Sequence, residues 1–230
     1  MFHLYDNMSM GQQPTADKEV LARRLAESAY IEIERKYGEK GVSPKAFHNV
    51  FHGREIVKSA LLIADEAIKS GKISPEDRFL LIIAGAYHDI EQDLGSGANE
   101  IASAAKAEQA MKDSGQFNKQ EIEIVKDAIL GTTVVFENGI IRQSASGNPL
   151  SQMIADADLA NLGSPTEVFW DRSEHIFREQ YPDGNGMDEF LEFQTGLLTH
   201  HTYCTEEAKI LFPHQRENLE FNAQMIAERK

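Results

Sequence analysis

The chain has 230 residues, 41 % of them hydrophobic, which is enough for a packed core and argues against wholesale disorder. Its 37 acidic residues outnumber 23 basic ones, and the formal charge of −14 speaks against nucleic acid as a general partner, because phosphate backbones need a basic surface. The longest apolar run, Phe79 to Tyr87, is too short to span a bilayer. The first residues lack the pattern of a secretion signal, and the lone Cys204 can form no internal disulfide, so a cytoplasmic setting without a membrane partner is expected.

Residues 1–15 read as a segment outside the domain, either disordered or folded over a pocket or a partner subunit. Lys18–Gly38 has helical spacing and ends on glycine. A second helix is expected after "VSPKA", running through His48 and His52 to about Lys69. Ser74-Pro75-Glu76-Asp77 reads as an N-cap with proline in the first turn, opening a helix that ends near Asp89. Further helices are predicted over Glu100–Ser114, Lys119–Leu130, Pro149–Leu162, Pro165–Tyr181, Met187–Thr202 and Pro213–Glu228. Asn138-Gly139 between "VVF" and "II" predicts one short hairpin near residues 133–142, with a floppy insertion as the alternative. No linker divides the chain, so the expected fold class is all-α, one domain over residues 16–230.

Certain polar residues sit where bulk properties do not explain them. In "AFHNVFHG", His48 and His52 are four apart, and on a helix they would share one face. Two such imidazoles can bind a metal together, or one can bind while the other handles protons. His88-Asp89 follows the apolar run, where a charge is costly unless paired or metal-bound. "MIADADLANLG" places Asp156 and Asp158 among apolar residues, which calls for a cation. On a helix these two carboxylates point to different sides, so one is a ligand and the other orients a ligand from behind.

Taken together, "FHNVFH", "YHDIEQD", "NEIASA", "DLANLG", "REQY" and "RENLE" resemble, in order, the motifs of the HD superfamily of metal-dependent phosphohydrolases, its compact bacterial branch in particular. The resemblance runs from about Phe47 to Leu219 and implies a helical HD-domain bundle. It implies one divalent ion held by His52, His88, Asp89 and Asp158, and it selects Asp158 over Asp156 through the "ADL" match. His48 falls on the histidine that protonates the leaving group, and Asp89 is counted with the catalytic residues. Glu100 either orients or deprotonates water at the metal or caps the helix that follows. Asn49, Asp156 and Asn99 are expected to support the ligands, and Arg178, Arg54 and Lys58 to contact substrate. Mixed nitrogen and oxygen ligation suits Mn, Fe, Co, Ni or Zn better than Mg. The implied reaction is hydrolysis of a small anionic phosphate ester by metal-activated water, with a nucleotide as the natural candidate.

Departures narrow this reading. Guanosine-polyphosphate hydrolases carry His-Asp-x-x-Glu-Asp; here Asp93 is in place but Glu91 comes one residue early. No histidine follows the His-Asp pair before His175, which favours one ion over two. A Thr-Lys-x-His of the compact branch is replaced by "GTTVVF". Two other classes remain open on the same residues. One is a non-catalytic sensor of a metal or nucleotide. The other is a di-iron HD-type oxygenase, which would need extra ligands from Glu91, Asp93 or Asp156.

Overall fold

Helices account for nearly all the regular structure in a computed structural model that describes residues 13–137 and 140–229. The chain forms α1 (Gln13–Tyr37), α2 (Val50–Lys69), α3 (Arg78–Tyr87), α4 (Ala98–Ser114) and α5 (Lys119–Leu130). A hairpin of β1 (Val134–Glu137) and β2 (Ile140–Gln143) follows, then α6 (Pro149–Asp158), α7 (Thr166–Gln180), α8 (Met187–His200), α9 (Glu206–Leu211) and α10 (Gln215–Glu228). The all-α class and the single hairpin agree with the expectation from sequence. The strands pair antiparallel from Val134 opposite Gln143 to Glu137 opposite Ile140, bracketing Asn138-Gly139, which lie outside the described residues. Residues 13–15 belong to α1, and the rest of the expected N-terminal segment also lies outside them.

The centre of the fold is α3. Its sequence, RFLLIIAGAY, is apolar all round and buried from Phe79 to Tyr87, as a helix enclosed by others must be. It packs against α1, α2, α4, α5 and α6. Each large apolar side chain buried there contributes roughly 1.5–3 kcal/mol. Gly85 lets α2 come close, since a Cβ there would lie 3.0 Å from Val57 Cγ2. The helix is launched as the sequence predicts: Ser74 and Asp77 form a reciprocal capping box around a 3-10 turn over Pro75–Asp77.

The start of α2 differs from expectation, because the helix begins at Val50 and leaves His48 in the preceding turn. Asn49 is the cause. Its side-chain oxygen accepts from Phe51 N–H, and its amide donates to the carbonyls of Lys45 and Ala46, closing the chain into a turn. The predicted helix over Pro149–Leu162 ends at Asp158 and continues as a 3-10 turn over Ala160–Gly163. Gly163 meets the C-terminal segment here, and a Cβ would fall 2.1 Å from the Phe212 carbonyl oxygen.

Two apolar clusters result. The larger joins α1 to α6 and takes in Tyr203 and Ala208. The smaller is built on Leu162, Phe169 and Leu198, with Leu159, Leu197 and Leu219 packed against it. No described helix is long and apolar enough to cross a membrane.

Candidate metal centre

The apolar core delivers four polar side chains to one point. His52 lies in the first turn of α2 on its buried face, His88 and Asp89 follow the last turn of α3, and Asp158 ends α6. One ligand atom from each falls within 4.8 Å of all the others. His52 Nε2 is 3.4 Å from Asp89 Oδ2 and 3.3 Å from Asp158 Oδ1. His88 Nε2 is 3.0 and 3.5 Å from the same two atoms. Metal bonds of about 2.1 Å place neighbouring ligands about 3.0 Å apart in an octahedron and about 3.4 Å apart in a tetrahedron, so these spacings fit a shared ion.

The donor chemistry fits as well. His52 and His88 are 4 % and 1 % exposed, and the Nε2 atom of each is buried without a hydrogen-bond partner among the described residues. Orphaned buried nitrogens are costly, and a cation is what a pair of them beside two carboxylates would satisfy. His88 Nδ1 lies 2.8 Å from the Gly85 carbonyl oxygen, to which it donates, which leaves Nε2 as the ring nitrogen that faces the cluster. Burial opposes charge throughout. Even so, Asp89 and Asp158 hold the His88 pKa well above its ordinary value, while His88 and His52 hold Asp89 well below its own. Burial likewise raises Asp158, but His52 and His88 outweigh it and its pKa is lowered.

Both carboxylates are braced on their outer oxygens by residues the sequence did not single out. Gln92 Nε2 donates to Asp89 Oδ1 at 2.6 Å, and Gln143 Nε2, from β2, donates to Asp158 Oδ2 at 2.7 Å. Gln92 was within reach of sequence reading, three residues past Asp89, but Gln143 carries no local signal. His48 stays beside the cluster despite leaving the helix, its ring 5.7 Å from that of His52. Glu179 on α7 holds it there. Oε1 is 2.5 Å from His48 Nδ1, and Oε2 accepts the backbone N–H groups of Phe47 and His48 at 2.8 and 3.0 Å. Burial would raise the Glu179 carboxyl, but His48 and the two N–H groups bring it down to about 2. Burial works against a charged His48, and Glu179 with Asp89 and Asp158 raises its pKa nonetheless. Glu179 sits in the quoted "REQY" stretch, where the expectation had been placed on Arg178 instead.

Other expected residues have structural partners. Asn49 caps α2, as described. Asp156 faces away from the ligands and accepts from Cys204 N–H, Thr205 N–H and Thr205 Oγ1 at 2.7, 2.8 and 2.6 Å, tying α6 to the start of α9; it orients no histidine. Asn99 Oδ1 accepts Leu94 N–H at 2.8 Å, shaping the loop after Asp89. Glu100 takes the capping role, its Oε2 accepting Gly97 N–H at 2.6 Å. Arg178 is exposed and faces Glu174 one turn away at 3.6 Å. Arg54 makes a two-pronged pair with Glu27 at 3.0 and 2.9 Å and lies over the Tyr30 ring, outside the cluster. Lys58 borders a cavity that reaches His52 and Asp158. Glu91 is held by Lys36 and Lys106, and Asp93 by Lys36 and Lys45. No protein-family model matches the chain, and no curated protein matches it significantly, so the geometry alone speaks for the site.

Proposed function

We propose that the chain is an HD-type metal-dependent phosphohydrolase acting on a small phosphate ester, with nucleotides the first class to try. The observation that carries this reading is the convergence of two orphaned buried imidazole nitrogens with two carboxylate oxygens inside 4.8 Å. A divalent ion held by His52, His88, Asp89 and Asp158 would polarise a phosphoryl oxygen and lower the pKa of water. Two neutral imidazoles and two carboxylates balance a dication, with Gln92 and Gln143 fixing the carboxylates in place. His48 is the proton donor in this reading. Its Nδ1 is engaged by Glu179, its Nε2 makes no hydrogen bond among the described residues, and the raised pKa keeps a proton available for the departing oxygen. The pairing of Glu91, Asp93 and Asp156 elsewhere weighs against a di-iron oxygenase.

The test is phosphate release from nucleotides and simple phosphate esters by metal-stripped protein refilled with Mn, Co, Ni, Zn, Fe(II) or Mg. Release with at least one transition ion, lost in Asp89→Ala, is the expected result. Silence across the panel from protein that binds an ion would sink hydrolysis of small esters and favour a sensor.

A further inference from the structure

Two adjoining cavities flank His52 between α2 and α7. One, about 160 Å³, extends toward Phe51, Asp171 and His175. The other, about 180 Å³, extends toward Lys58, Asp158 and Asn161. Phe47, His52, Glu55 and Arg172 border both. Arg172 on α7 is ion-paired across this junction with Glu55 on α2.

Resting on the reading of the cluster as a phosphohydrolase centre, we propose that Arg172 is the positioning cation for the substrate's phosphoryl group, and that the arriving oxyanion draws it away from Glu55. Arg54 and Arg178 are turned to Glu27 and Glu174, whereas Arg172 borders the same cavity as His52 and Asp158. A guanidinium fork matches two phosphate oxygens, a geometry that a single carboxylate oxygen does not fully use. The Arg172 and Glu55 side chains are 23 % and 28 % exposed, so water can receive Glu55 when it is released. Charge supplies the reason for the pairing. In a chain of net charge −14, an unneutralised Glu55 on the cavity that Asp158 also borders would repel an anionic ester, and Arg172 masks it until the ester arrives. Lys58 makes no ion pair among the described residues and borders the same cavity, adding a second positive group.

Calorimetric titration of the Mn-loaded full chain with inorganic phosphate tests this, beside titration of each metal-free variant with Mn. Glu55→Gln frees the guanidinium and should tighten phosphate at least threefold; Arg172→Gln should weaken it at least tenfold, with Arg172→Lys between. Affinity for Mn should stay within twofold throughout. A merely structural pair would make both substitutions weaken phosphate alike, and that result overturns the proposal. So does Arg172→Gln binding phosphate as wild type does, or an absence of phosphate binding by both wild type and Glu55→Gln. Should Arg172→Gln fail to fold, Glu55→Gln that binds no tighter than wild type is sufficient to reject it. Failure of wild type to bind any divalent ion would instead bring down the hydrolase reading and this inference together.

Discussion

Gln92 and Gln143 hold the outer oxygens of Asp89 and Asp158, so the positions of the inner oxygens depend on them. Replacing either with leucine should lower metal affinity by about 10–100-fold, measured by titration with Mn or Zn; unchanged affinity would mean that packing alone positions the carboxylates. His201 gives a pH prediction away from the cluster. Burial pushes its imidazole down to about 4, whereas an unfolded histidine titrates at about 6.5. As pH falls, the unfolded chain takes up the proton first, so stability is lost between about 6.5 and about 4, by up to about 3 kcal/mol. Urea unfolding at neutral and acid pH checks this, and His201→Phe, which keeps a ring edge-on to Tyr203, should lose less on acidification than wild type. Residues next to apolar runs were legible in the sequence: His88-Asp89 and the pair Asp156 and Asp158 stood out because a charge there needs a partner, and only the "ADL" resemblance separated Asp158 from Asp156. Glu179 and Gln143 were not, because their partners lie 131 and 15 residues away and no helical period links them.

Among the elements, long periodic helices were readable and short or capped ones less so. Lys119–Leu130 was placed residue for residue, because Asn118 caps it and Gly131 follows it. The six residues of α9 are too few to show a period, and Thr205 with Asp156 provides the structure that the sequence does not advertise. The shared helical face expected for His48 and His52 gave way to the turn closed by Asn49, which still sets the two rings side by side. The junction after α6 makes a sharp prediction. Gly163→Ala should cost about 1–3 kcal/mol in denaturant unfolding, because its Cβ would meet a backbone oxygen of Phe212 that no rotamer change can move. Wild-type stability in that variant would mean that the 212–214 segment yields freely.

For the whole molecule, an ion bound here would link α2, the end of α3 and α6, and the unfolded chain has no such site. Metal at a thousandfold over its Kd should therefore stabilise by about 4 kcal/mol, read as a higher Tm that a chelator reverses and Asp89→Ala never shows. A Tm indifferent to every transition ion would count against the centre. The division of labour between the two clusters reaches further. His52 stands on α2, His88 and Asp89 directly after α3 and Asp158 at the end of α6, all elements of the larger cluster, while Arg172 and Glu179 come from α7, whose Phe169 belongs to the smaller one. Substitutions on α7 could thus change what surrounds the cluster while leaving the four residues able to hold an ion untouched. Change at the surroundings then need not pass through an ancestor that has lost the cluster.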